Sequence, residues 1–240
     1  MMTRLFFLLC LMTTLTACSS RDSVPTPESI RQAGVLRVAA AVDSEYPYLY
    51  WDAAGQAAGI EADAVSAIAA ALGVQAEFIP FTTNDVNAAV GEGLADIGIA
   101  GFEQGRTRGV AQTVSYYTRR TFILTRRGEA YPDADAMSGV RFLTTQRRYG
   151  NIAERVPNIS DAVDRLTLER ADAILAGEHE ALAAVAASGE RLQTDVYPGA
   201  YNRRLVAVTA FGTTELLEFI NAEIRRLREA GLIHRAIEGE

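Results

Sequence analysis

An α/β fold in two lobes, each a mostly parallel sheet flanked by helices, is predicted by two observations. Apolar runs of strand length alternate with segments of helical period, and the alternation restarts past residue 118. The run GVLRVAAAV (34–42) follows the helix-like SIRQAG and reads as a buried strand. Val65, Ile68, Ala69 and Leu72 recur at helical spacing and stop at Gly73, a natural C-cap. VQAEFIPF is the next strand, and Val86, Ala89 and Val90 give a short helix before Gly91 and Gly93. DIGIAG (96–101) is the third strand, so this βαβαβ rhythm implies a parallel sheet with helices on both faces. In the second half TFILTRR and VRFLTTQ are strands, and Ala162, Val163 and Leu166 form a helical stripe behind Ser160. DAILAG is a further strand and EHEALAAVAAS a helix ending at Gly189. LVAVTAF then leads into a long amphipathic helix with Leu217, Ile220, Ile224 and Leu227 on one side, ended by Gly231. Neither DIGIAG nor DAILAG belongs to a longer detectable repeat, which points to two related lobes rather than a solenoid.

The N-terminus sets the destination. Residues 1–17 carry Arg4, the apolar run LFFLLCLM and the small-residue sequence before Cys18, a secretory leader too short to be a membrane span. Residues 18–28, with Pro25 and Pro27 among serines, read as a tether. Cys10 lies in the leader and Cys18 at its end, so the folded body has no cysteine and its core holds by packing alone. A hydrophobic content of 49% supports such a core. The net charge of −7 argues against a nucleic-acid partner, and all 23 basic residues are arginine. Among the local clusters, Arg119 with Arg120 and Arg147 with Arg148 call for individual attention.

Leu94 to Thr118 is the most informative stretch. A short apolar strand runs into a glycine-marked loop that presents Arg108 shortly before paired tyrosines, an arrangement suited to holding a small anion at the end of a sheet. The Arg108 guanidinium offers a fixed fork of donors to a carboxylate. No Ser-His-Asp arrangement, zinc-ligand spacing or phosphate loop appears, and His234 stands alone, so no metal or cofactor is expected.

Four segments in order resemble the family 3 extracellular solute-binding proteins, the amino-acid-type receptors of ABC importers. The G-x-L-R-V strand matches Gly34 to Val38, the Y-P-x-[FL] loop matches Tyr46 to Leu49, and D-x-x-G-x-x-x-G-[FI]-[DE]-x-D matches Asp52 to Asp63. The fourth, a strand followed by an Arg twelve residues after its Asp, matches Asp96, Gly101 and Arg108, with RADAIL and LREAGLIHRAI in support. The sequence LTAC likewise resembles a lipobox, implying lipidation of Cys18, with an ordinary signal peptide as the alternative. A Ser at position 19 favours the outer membrane in a cell that has one.

The resemblance implies a type II periplasmic-binding-protein fold, with lobe one from 29–118 plus 204–240, lobe two from 119–203, and hinge strands at the ends of lobe two. It implies an exported receptor for a small carboxylate-bearing molecule, with an inner-membrane ABC permease as partner and the chain itself a monomer. By the same resemblance Tyr46 is the aromatic wall, the backbone at Ala100 and Gly101 meets the ligand's polar groups, and Arg108 clamps its carboxylate. Tyr48 and Trp51 either touch ligand or pack the loop. The chain departs from the family's pattern at Glu103 and Gly105, at Arg147 and Arg148, and at Gly177, where an Asp that grips an α-ammonium is usual. Glu103 either pairs with a ligand amine or neutralises Arg108. Arg147 and Arg148 either meet a second acidic group or are solvated, and Glu178 is the carboxylate nearest the missing Asp. Glu180 falls near where the similar cyclohexadienyl dehydratases carry an acid, which leaves a lyase, or a sensing receptor, as the alternative function; Glu178 and Glu180 also suit a helix's first turn, with His179 beside them.

Overall fold

The computed structural model describes residues 24–44, 46–131, 133, 135–198 and 203–233. The leader, Cys18 and His234 lie outside the described residues. The order of elements is α1 (Pro27–Ala33), β1 (Val35–Ala41), the hairpin β2 (Tyr50–Trp51) and β3 (Ala57–Ala58), α2 (Ile60–Leu72), β4 (Gln75–Phe81), α3 (Thr83–Gly91) and β5 (Ile97–Ile99). There follow β6 (Ala111–Gln112), β7 (Tyr117–Arg119), β8 (Thr121–Arg126), β9 (Phe142–Thr144), a 3-10 turn at Arg147–Tyr149, β10 (Glu154–Arg155) and α4 (Ile159–Thr167). The chain closes with β11 (Ala173–Gly177), α5 (Glu178–Ala187), β12 (Leu192–Val196), β13 (Arg203–Leu205), β14 (Val208–Thr209) and α6 (Thr214–Glu229).

These strands build two five-stranded sheets, β4-β1-β5-β14-β6 and β10-β9-β11-β8-β12. Both are mixed. In the first, β4, β1 and β5 run parallel while β14 is antiparallel to β5 and β6. In the second, β10, β9 and β11 are parallel while β8 is antiparallel to β11 and β12. The antiparallel strands β8 and β14 are those that follow a crossing from the other sheet, so no local βαβ unit sets their direction. The crossings are β7 and β13, paired antiparallel with Arg119 opposite Arg203 and Leu205 opposite Tyr117.

Local chemistry explains the elements. Gly73 ends α2 with φ 78° and its N–H on the carbonyls of Ala69 and Ala70. Pro80 is tolerated in β4 because that strand is an edge. Helix α4 starts at the cap of Asn158, whose side chain accepts from the N–H of Asp161, earlier than the Ser160 start expected. Helix α6 buries Leu216, Ile220, Ile224 and Leu227, so Leu216 and not Leu217 opens its apolar stripe. Each such buried side chain contributes about 2 kcal/mol. The run LVAVTAF is two strands, because Val206 and Ala207 leave the hinge ladder to bond Phe102 and Thr113.

An Arg–Asp device that no sequence pattern announces occurs once in each sheet. Arg37 on β1 grips Asp96, which precedes β5, through Nη2 at 2.7 Å and its own backbone N–H at 2.9 Å, and reaches the carbonyl of Gly93 at 2.9 Å. Arg141, which precedes β9, does the same to Asp172 at 2.7 and 2.8 Å and to the carbonyl of Glu169 at 3.0 Å. Both carbonyls belong to left-handed residues, Gly93 at φ 75° and Glu169 at φ 58°.

Candidate functional site: an arginine-lined cleft

The hinge ladder forms one border of the space between the sheets. Its Arg119 and Arg203 line a cavity of about 360 Å³ together with Thr145, Gln146, Arg147, Arg148 and Glu180. A smaller recess of about 30 Å³ shares Arg119, Arg148 and Glu180 and adds Tyr46, Pro47, Tyr48, Arg120, Gly177 and His179. The opposite wall comes from the second sheet, where β9 runs into the 3-10 turn carrying Arg147 and Arg148 and β11 runs into α5.

The residues singled out above divide between this space and its surroundings. Tyr46 is exposed and reaches across the gap, its ring 4.6 Å from that of His179 in edge-on geometry and 4.9 Å from Tyr50. Tyr48 is buried with the Arg119 guanidinium 4.4 Å above its ring. Trp51 is half-buried against the first core and donates to the carbonyl of Ala41 at 3.3 Å. Arg147 is exposed, and Arg148 donates from Nε to Gln146 at 2.6 Å. Glu178 accepts from the Tyr117 hydroxyl at 2.6 Å, tying the hinge to the first turn of α5. Burial, then this bond to a carboxylate, raises the Tyr117 pKa. Glu180 accepts from Thr145 at 3.1 Å and from the N–H of Gly177 at 3.1 Å, the reach-back bond of a helix start.

Arg108 is exposed on the loop after β5 and does not line the cavity, whose cationic wall is Arg119, Arg147, Arg148 and Arg203. Glu103 ion-pairs with Arg203 and, at 3.3 Å, with Arg106. A backbone bridge from Glu103 to Leu205 holds it beside the hinge. Ala100 is buried, and the Gly101 N–H is taken by Glu61, lying 3.0 Å from both carboxylate oxygens.

Arg203 and Thr145 line the cavity without having been expected there, and Glu61 and Tyr116, outside the lining, form a buried pair behind Gly101. Glu61 is fully buried in the first turn of α2 and also accepts from the Tyr116 hydroxyl. Burial pushes its pKa up to about 7, against the opposing pull of the Tyr116 and Gly101 hydrogen bonds and the Arg119 charge. Tyr116 is raised well above its ordinary value, first by its own burial and then by Glu61. A carboxylate at a position otherwise set among apolar helix residues was the available signal. Among the described residues no His, Cys, Asp and Glu group could hold a metal ion. The described lining offers guanidinium donors, aromatic faces and a carboxylate bonded within the protein.

Comparison with known proteins gives this geometry a family. The profile of the bacterial extracellular solute-binding proteins, family 3, matches residues 36–238. An ancestral cationic amino acid solute-binding protein superposes with a TM-score of 0.67 at 22% identity, over 88% of this chain and 97% of its own. An ancestral cyclohexadienyl dehydratase superposes with a TM-score of 0.69 at 21% identity, over 92% and 95%. An amino acid ABC transporter substrate-binding protein from Streptococcus pneumoniae, bound to L-arginine, gives 0.54 at 22%, over 88% and 95%. At such identities the structural likeness speaks for the fold alone. No curated protein matches the chain. With the profile spanning most of its length and two sheets joined by paired crossing strands, the chain belongs to the bacterial extracellular solute-binding proteins, family 3.

Proposed function

We propose that the chain is a lipid-anchored receptor that captures a small carboxylate-bearing molecule between its two lobes and delivers it to an ABC importer. The observation that carries the reading is the cavity between the sheets lined by Arg119, Arg147, Arg148 and Arg203, since guanidinium forks match carboxylates in charge and shape. Tyr46 supplies an aromatic edge beside it, and closure of the lobes about β7 and β13 is the signal a permease reads. The reading does not require Arg108. Cys18 carries the lipid, so Cys18→Ser releases the protein from the membrane fraction.

A thermal-shift screen of the chain against carboxylic acids and amino acids, with X-ray scattering of the same samples, tests the reading. One or more acids raise the midpoint and shrink the radius of gyration. A complete absence of shifts abandons it. The Glu180 carboxylate, lining both parts of the cleft, favours a lyase as the second reading. Product formation from prephenate in these samples selects that reading; binding without turnover selects the receptor.

A further inference from the structure

Helices α4 and α5 pack side by side on the core of the second lobe and leave between them a groove of about 350 Å³. That volume is in the range of small-molecule sites. Ile159 and Val163 form one wall, and Ala183, Ala184 and Ala187 form the other. The short alanine side chains keep the second wall low, so the apolar surface of both helices stays within reach of an occupant. From Glu180 to Ser188 the groove follows α5 for about 12 Å.

The two ends of this apolar length differ in charge. At the end nearer the cleft, Glu180 has its carboxylate held by Thr145 and by the Gly177 N–H, each at 3.1 Å, which leaves its methylene stem to the groove. At the far end stands Arg191, exposed, with its Nε donating to the Ser188 carbonyl at 2.8 Å. This bond fixes the guanidinium beside the groove, and among the described residues Arg191 forms no ion pair. The adjacent Glu190 pairs at 2.8 Å with Arg127 instead. An occupant complementary to these walls is apolar along its length and anionic at one end.

We infer that the groove between α4 and α5 is a second ligand site, separate from the cleft, for a linear amphipathic monocarboxylate whose carboxylate meets Arg191 and whose acyl chain lies along Ala187, Ala184 and Ala183. The inference stands apart from the receptor reading and does not depend on what the cleft binds.

The test is isothermal titration of the full chain carrying Cys18→Ser, free of detergent, with butyrate, octanoate and octanol. Octanoate binds one to one and about tenfold or more tighter than butyrate, because the longer chain covers more of the groove. It also binds about tenfold tighter than octanol, which lacks the charge. Arg191→Gln brings octanoate down to the level of octanol, whereas Arg147→Gln, in the cleft, changes it less than about twofold. Ala183→Glu, in the groove wall, weakens octanoate about tenfold or more, whereas Ala186→Glu, the same charge on an exposed position outside the lining, changes it less than about threefold. Both alanines are exposed and glutamate is a good helix former, so either variant folds. Equal affinities for octanoate and octanol overturn the inference. Equal losses in Arg191→Gln and Arg147→Gln also overturn it, since octanoate then sits in the cleft. Dimerisation in sedimentation that Ala183→Glu abolishes, without octanoate binding, gives the groove to a second copy and overturns it too. Absence of octanoate binding by a folded chain overturns it and leaves the receptor reading standing.

Discussion

Replacing Glu61 with Gln separates the protonation of this buried carboxylate from the packing around it. The group is fully buried, and its pKa rises from 4.5 to about 7. A carboxyl whose folded value exceeds its unfolded value holds more protons in the fold, so its contribution is fully present below pH 4.5 and is lost as the pH rises through about 7. At about 1.4 kcal/mol per pH unit the full span is about 3 kcal/mol, of which roughly 2 to 3 falls between pH 5 and pH 8. Glutamine has no such titration, and its carbonyl still accepts from Gly101 and Tyr116. The stability of the parent relative to Glu61→Gln therefore falls by that amount across the interval, a change in relative Tm of roughly 5–10 °C for a body of this size. Paired melting curves at pH 5, 6, 7 and 8 read it. A difference that stays flat with pH, or that grows in the parent's favour as pH rises, refutes the reasoning.

Gly59→Ala places a Cβ 2.5 Å from the carbonyl oxygen of Pro47 and 2.8 Å from that of Tyr48 at φ 102°, so backbone must move, and denaturant melts should show a loss of roughly 3 kcal/mol or more. Asp96→Asn breaks a pair whose Asp is wholly buried and should remove roughly 3–5 kcal/mol, whereas Asp172→Asn, paired with the largely exposed Arg141, should remove about 1 kcal/mol. Arg141 holds Asp172 down to about 2, so the contribution of that second pair is present above pH 3.8 and lost only as pH falls toward 2. Tyr117→Phe leaves Glu178 without its donor and should loosen the contact between hinge and α5 by about 1.5 kcal/mol, seen as a larger mean radius of gyration in X-ray scattering.

Much of the fold was legible because its central strands are short and continuously apolar. β1, β5 and β11 are nearly wholly buried, and the helices between them carry clear stripes ended by Gly73 or Gly189. What the pattern could not show was direction. Strands β8 and β14 read like their neighbours in composition, yet run antiparallel because each arrives from the other lobe. The Arg–Asp repeat was also invisible, since the shared device comprises an Arg, a left-handed residue and an Asp spread over widely separated positions with unlike residues between.

The site was legible in part for the same reason. Tyr46, Arg147, Arg148 and Glu180 do line the cleft, each sitting where a strand or loop meets a turn. Arg203 and Glu61 depend on partners 100 and 40 residues distant, and no local spacing announces such pairs. Arg108 sits on a loop whose Gly105 and Gly109 take φ 81° and 77°, so its register along the chain does not by itself fix where its side chain points.

The position of β14 inside the first sheet, between β5 and the edge strand β6, bears on how the protein is born. A chain emerging from its N-terminus can assemble the second sheet from a contiguous stretch, Thr121 to Val196, as soon as that stretch is free. The first sheet has to wait with an open slot until Val208 and Thr209 arrive, and with them the buried face of α6. The lobe made first is thus the lobe finished last. Premature termination before residue 208 would leave a second lobe able to fold and a first lobe exposing the flanks of β5 and β6, a species prone to pair with other chains.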